Sequence, residues 1–172
     1  MPSSHRPDIP GVIAPPPLIY IGFLLLGWAI FRFAATPEIV GPEMAGWLGL
    51  GFGMETQTRR IVSLPLIVGG LLLDGAAAGY FRRLGTAVEP WKPSTVLATD
   101  GLYRFSRNPI YLGFAITYVG LAIAMDSVLV LLLLIPCLWV VDRFVIQREE
   151  RYLSAKFGAD YDAYRARVRR WL

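Results

Sequence analysis

Between Arg60 and Arg82 lies a stretch, residues 61–81, whose one charged side chain is Asp74. As a helix rising about 1.5 Å per residue, it is long enough to cross about 30 Å of hydrocarbon. Three more apolar blocks accompany it. Residues 18–34 are apolar apart from Arg32 near the end, and blocks 109–125 and 127–141 are separated by Asp126 alone. The chain is 55% hydrophobic and 17% charged, against about a quarter charged in an ordinary soluble domain. The reading is an all-α integral membrane protein of about four transmembrane helices.

Blocks three and four are short for separate crossings. They fit a C-terminal helical hairpin whose second arm continues beyond the lipid. "VDRFVIQREERYLSAKFG" contains good helix formers and no breaker before Gly158, a natural residue just past a helix end. A helix over 127–157 would be about 46 Å long, so about a third of it projects as a cytoplasmic extension. In "ADYDAYRARVRRWL", Tyr161, Tyr164, Val168 and Trp171 share one helix face, the pattern of a terminal amphipathic helix on the inner membrane surface. Residues 1–17 hold six prolines and read as a flexible tail. Residues 35–60 are expected as an outer loop, with 44–54 too short to span and therefore interfacial or re-entrant. Residues 82–108, rich in Pro, Gly and Thr, leave little room for regular structure. Block 18–34 has no clear small-x-small cleavage site and more spans follow, so it is expected to stay as a helix. The chain divides into 1–84, the tail and first two spans, and 85–172, the loop, helical hairpin and terminal helix.

Lys and Arg set orientation. With both termini cytoplasmic, fourteen of them fall inside and Arg32, Arg59 and Arg60 fall outside. The cytoplasmic side then includes loop 82–108. The net charge of +4 reads as topology plus attraction to anionic lipid. No basic helix or aromatic platform stands clear of the membrane, which argues against nucleic acid. The lone Cys137 and lone His5 argue against a disulfide framework, a metal centre and a Ser-His-Asp triad.

The polar residues concentrate at helix mouths. In "GLYRFSRNPIYLG", residues 101–113, Asn108 before Pro109 is a helix start, with Asn as cap and Pro at the first helical position. Tyr103, Phe105 and Tyr111 suit an interfacial belt, and Arg104 and Arg107 suit the positive-inside pattern. Glu149 and Glu150, read by charge pattern alone, are solvated acids among arginines. Asp74 is an intramembrane acid, a functional candidate by default. Its other reading is a bonded or snorkelling side chain beside a Gly75-x-x-x-Gly79 packing face. Trp91 reads as an interface anchor near the expected pocket.

As a set, the spacing says more. "GLYRFSRNPIYLG" resembles the Gly-x-Tyr-x-x-x-Arg-(His/Asn)-Pro-x-Tyr-x-Gly pattern of the integral-membrane methyltransferases related to isoprenylcysteine carboxyl methyltransferase and phosphatidylethanolamine N-methyltransferase. "EERYLSAKFGADYDAY" resembles that group's second motif, Glu-Glu-x-x-Leu followed by Phe-Gly-x-x-Tyr-x-x-Tyr. The prenylcysteine enzymes usually carry His where this chain has Asn108.

The resemblance implies a membrane methyltransferase that uses S-adenosylmethionine on a lipid or lipid-like acceptor, with its cofactor site at the cytoplasmic face. It implies Arg107 and Glu150 as catalytic residues. It implies Val96, Leu97, Gly101, Tyr103, Asn108, Pro109, Tyr111 and Glu149 as cofactor-binding residues. The chemistry agrees: the cofactor's carboxylate wants an arginine or a helix N-terminus, its ammonium or ribose diol a carboxylate, and its adenine and sulfonium aromatic faces such as Tyr103, Tyr111 and Tyr161. Two alternatives remain. One is an NADPH-dependent sterol-reductase-like enzyme, whose 2′-phosphate would need a basic cluster such as Arg143, Arg148 and Arg151. The other is a non-catalytic membrane scaffold. The sequence names neither the acceptor nor the oligomeric state.

Overall fold

The structure, a computed structural model, describes residues 9–172; His5, Arg6 and the rest of the tail to residue 8 lie outside the described residues. The described chain is helical, without strands. In order it forms α1 (Pro16–Ala29, ending in a π-helical turn, Ile30–Ala34), the short α2 (Pro37–Val40) and α3 (Pro42–Leu48), and α4 (Thr56–Arg83). A 3-10 turn (Gly101–Arg104) precedes α5 (Pro109–Ala124), followed by the long α6 (Val128–Phe157) and α7 (Ala159–Arg167). The stretches Pro16–Phe33, α4 and α6 are long and apolar enough to cross a membrane; α5 is apolar but shorter. Their outward faces carry exposed Leu18, Leu25, Leu64, Leu71, Leu72, Leu132, Ile135 and Trp139, as lipid-facing surfaces do.

α5 lies between α4 on one side and α1 and α6 on the other. Against α4 it packs backbone to backbone. A Cβ on Gly70 would sit 2.6 Å from the Gly113 carbonyl oxygen and 2.8 Å from the Thr117 nitrogen. A Cβ on Gly120 would sit 2.7 Å from Ile67 Cγ1. On the other side Tyr20 of α1 donates its hydroxyl to the Tyr111 carbonyl over 3.0 Å. Gly27 of α1 lets α6 approach through Val130.

The turn between α5 and α6 rests on Asp126, at φ 53°, a left-handed conformation that Asp tolerates better than most residues. Its carboxylate takes Arg59 at 2.6 Å and the Phe52 amide at 3.1 Å. The Ser127 hydroxyl accepts the Val130 amide and caps α6. Gly158, at φ 54°, ends α6 as expected.

The structure corrects several expectations. Residues 35–60 are not a plain loop, because α2, α3 and the start of α4 occupy much of the segment. Gly75 and Gly79 have nothing within 4 Å of an added Cβ; the helix contact runs instead through Gly70, Gly113 and Gly120. Asn108 makes no side-chain cap, since its amide group is drawn away to the C-terminal segment. α7 stops at Arg167 and Val168 is extended, so Trp171 is not on its face. Tyr161 and Tyr164 are buried under protein rather than laid on lipid. A period-3.6 pattern announces a covered face but not what covers it.

Candidate functional site

The uninterrupted apolar run of α6 ends at Val141; after Asp142 and Arg143 the helix continues into Gln147–Phe157, which is strongly polar in composition. The hairpin brings this extension beside the N-terminus of α5. Tyr111, in the first turn of α5, donates its hydroxyl to Glu149 Oε1 over 2.6 Å. Arg107, two residues before α5, donates Nη2 and Nε to Glu150 Oε1 at 2.6 and 3.2 Å. Residues about forty positions apart thus form one wall.

Glu150 and its neighbour do different work. The Glu150 carboxylate is held a second time by Arg170, with Nη2 to Oε2 at 2.6 Å and Nε to Oε1 at 3.1 Å. Arg170 also reaches Asp142 at 3.0 Å. The remaining Arg107 nitrogen, Nη1, donates to the Val168 carbonyl at 2.6 Å and the Arg165 carbonyl at 3.3 Å. Asn108 Nδ2 and Ser106 Oγ both donate to the Arg170 carbonyl, and the Arg107 amide donates to the Arg169 carbonyl. The Ser-Arg-Asn turn is therefore the dock for the C-terminal strap, residues 168–172.

These contacts set the charges. Burial would raise the Glu150 carboxyl, but hydrogen bonds and charge from Arg170 and Arg107 outweigh it and hold it below the usual carboxylate range. Burial pushes the Glu149 carboxyl up to about 7; the Glu150 charge adds to this, and the Tyr111 hydrogen bond offsets part of it.

A cavity of about 240 Å³ opens beside this wall, just below the usual range for small-molecule sites (about 300–1,000 Å³). Its polar side presents Arg107, Asn108, Tyr111, Glu149 and Glu150. Its aromatic side presents Tyr103, Tyr161 and Tyr164, whose hydroxyls burial pushes up, that of Tyr161 to about 12. Tyr164 donates to the Tyr103 carbonyl at 2.8 Å, and Tyr80 stacks on the Tyr103 ring at 6.0 Å between centroids. The loop after α4 supplies Trp91, Val96 and Leu97, tied down by a bond from the Ser94 amide to the Tyr152 hydroxyl. Pro10, Pro16 and Pro17 close the remaining edge, and Arg148 holds the Gly11 carbonyl at 2.6 Å.

Of the residues singled out from the sequence, Val96, Leu97, Tyr103, Arg107, Asn108, Tyr111, Glu149 and Glu150 line this cavity. Gly101 and Pro109 do not. Gly101 turns the chain at φ 61°, and Pro109 is buried at the first position of α5.

Residues 58–160, more than half of the chain, match the phospholipid methyltransferase family. The chain belongs to that family. It is 37% identical over 73 residues to the protein-S-isoprenylcysteine O-methyltransferase of Schizosaccharomyces pombe, a match covering 42% of this chain and 31% of that protein. The Saccharomyces cerevisiae protein of the same name matches equally, over 30% of its length. An uncharacterized Haemophilus influenzae protein is 36% identical over 63 residues, 37% of this chain and all of its own. The chain spans just under a third of the two yeast methyltransferases it matches. No solved structure matches it significantly.

The phospholipid methyltransferase match ends at Asp160, so most of α7 and the strap lie beyond it. Tyr164, Arg170 and Asp142 were not among the candidates read from the sequence. Tyr164 stood in the quoted Phe-Gly-x-x-Tyr-x-x-Tyr stretch. Arg170 had counted only toward orientation, and no local pattern distinguishes it from Arg169. Phe81, Ile110, Phe114 and Leu153 line the cavity too, but as ordinary apolar residues they carry no chemical signal. Asp74 does not line it. Its carboxyl lies against Gly113 of α5, with both oxygens buried and without a hydrogen-bond partner among the described residues.

Proposed function

We propose that this member of the phospholipid methyltransferase family is an integral-membrane enzyme that uses S-adenosylmethionine to methylate a lipid or lipid-like acceptor. The reading is supported by the named yeast relatives, both isoprenylcysteine O-methyltransferases. One observation carries it: Glu149, bonded to Tyr111, is an acid without an arginine or lysine partner among the described residues, in a cavity where Arg107 is already committed to Glu150 and the Val168 carbonyl.

The residues fit the cofactor. Glu149 suits an ammonium or a ribose diol, the N-terminus of α5 at Ile110 and Tyr111 suits a carboxylate, and Tyr103, Tyr161 and Tyr164 offer faces for adenine. When bound, the cofactor supplies an electrophilic methyl group on a sulfonium. The protein's part is to hold two partners in line and keep water out, which Phe81, Leu97, Phe114 and Leu153 do from the apolar side. A carboxylate or tertiary amine needs no base. For a thiol or an ammonium acceptor, the Glu149 carboxylate is the group placed to take the proton. Arg107 and Glu150 serve by fixing the α5 turn, α6 and the strap in one geometry. Both termini and the cavity are assigned to the cytoplasmic side on the Lys and Arg distribution.

The cavity favours this over the reductase reading. Arg143, Arg148 and Arg151, the cluster a 2′-phosphate would need, all lie outside the lining. Purified protein supplied with methyl-labelled cofactor and membrane lipid extract should transfer label to an extractable lipid. A preparation that binds the cofactor but labels no lipid, thiol or quinone fraction would contradict the enzymatic part.

A further inference from the structure

The walls of the cavity beside Glu149 are held in unequal ways. The C-terminal strap is fixed by Arg107 on the Val168 carbonyl, Asn108 on the Arg170 carbonyl and the Arg170–Glu150 ion pair. Tyr161 and Tyr164 of α7 are buried. At the N-terminal edge the Arg148 guanidinium holds the Gly11 carbonyl at 2.6 Å, a charge-assisted bond. The segment between α4 and the 3-10 turn differs. It supplies much of the apolar lining, including Val88, Pro90, Trp91, Val96 and Leu97. A neutral hydrogen bond joins it to the α6 extension, from the Ser94 amide to the Tyr152 hydroxyl at 3.1 Å.

Internal bonds make this segment a unit. The Thr95 amide donates to Thr86 Oγ1 at 3.0 Å, and the Thr86 amide donates to the Phe81 carbonyl at 3.2 Å. Both ends therefore meet at a neck fixed to α4, with Thr86 buried. Beyond the neck, Glu89-Pro90-Trp91-Lys92 is a β-turn with Pro at its favoured second position. The Lys92 amide closes it on the Glu89 carbonyl at 3.1 Å, and the Lys92–Glu89 ion pair braces it at 2.6 Å. A compact loop over 86–95 whose ends meet is an Ω-loop. Trp91, at its tip, lines the cavity and is still 42% exposed. Tyr152 lines the cavity too, three residues after Glu149 and so on the same side of α6.

A braced tip on a fixed neck stands at the rim of a site that must admit a ligand and then exclude water. We infer that residues 87–94 are a lid over the cavity and that Tyr152 is the positioning residue that latches it. The mobility of the lid follows from its bonds; that S-adenosylmethionine lies beneath it rests on the proposed function.

Millisecond hydrogen exchange of the full chain in detergent, read by mass spectrometry, tests the latch without a ligand. Tyr152→Phe keeps the ring and removes the hydroxyl. Amides within 87–94 should then exchange roughly three- to tenfold faster, the equivalent of one neutral hydrogen bond, while those of 161–167 stay as in the parent. Unchanged exchange in the loop, or faster exchange in both segments, would overturn the lid.

Labelled S-adenosylmethionine tests what the lid covers. Bound cofactor should slow exchange within 87–94, and Tyr152→Phe should release it roughly three- to tenfold faster. Arg148→Gln, which frees the N-terminal edge instead, should leave release within about twofold. Faster release from Arg148→Gln together with parental release from Tyr152→Phe would make the N-terminal edge the gate and sink the inference. A parent that binds no cofactor would count against the proposed function, and the ligand-free exchange would still decide the lid.

Discussion

The Tyr111 hydroxyl and Glu149 Oε1 meet at 2.6 Å, joining the first turn of one helix to the extension of another. That bond positions an acid that has no cationic partner among the described residues. Replacing Glu149 with Gln keeps the shape and removes the charge. S-adenosylmethionine should then bind ten- to a hundredfold more weakly, the equivalent of one charge-assisted hydrogen bond of about 1.5–3 kcal/mol. Calorimetric titration measures this, and thermal stability should not fall.

The same carboxyl makes binding depend on pH. It is pushed up to about 7, so it is largely protonated at pH 6 and ionised at pH 8. An ammonium or diol prefers the ionised form, so cofactor affinity should rise from pH 6 to pH 8 and flatten above. Stability runs the other way. A carboxyl raised on folding holds its proton more tightly in the folded chain, so its contribution is complete below the ordinary carboxylate range and is lost as pH rises through about 7. In Glu149→Gln both pH dependences should disappear over this window.

Arg107 and Glu150 form a pair whose side chains are 10% and 9% exposed. Removing one partner leaves the other buried and uncompensated, which costs about 3–5 kcal/mol. Arg107→Ala and Glu150→Ala should each lower the unfolding midpoint strongly and loosen the C-terminal strap, read as faster proteolysis after Arg167. Arg170→Ala, at a side chain 30% exposed, should cost less.

The α4–α5 contact predicts a sharp contrast between glycines. A methyl at Gly70 or Gly113 would meet the opposing backbone, at 2.6 Å from the Gly113 carbonyl and 2.9 Å from the Gly70 carbonyl respectively. Gly70→Ala and Gly113→Ala should each destabilise by about 1–3 kcal/mol. Gly75→Ala, with nothing within 4 Å, should be neutral or slightly stabilising in the helix. Unfolding in mixed micelles distinguishes them.

What the sequence disclosed follows from what each signal measures. Apolar run length located α1, α4 and the hairpin, because crossing lipid demands it. The two motifs named both sides of the Tyr111–Glu149 wall, because a paired site needs both halves. Composition could not say which glycines face a neighbour, and so pointed to Gly75 and Gly79. Asn108 before Pro109 looked like a helix cap. Only the folded chain brings the Arg170 carbonyl within 2.9 Å of its side chain. Arg170 itself was invisible among the C-terminal arginines until Glu150 and Asp142 appeared beside it.

The central claim is that the cavity beside Tyr111 and Glu149 takes an adenosyl sulfonium. Calorimetry of the purified full chain with S-adenosylmethionine and, separately, NADPH tests it most directly. The account predicts one saturable site for S-adenosylmethionine, weakened in Glu149→Gln, and no measurable binding of NADPH. Tight NADPH binding, or S-adenosylmethionine binding that Glu149→Gln leaves unchanged, would contradict it.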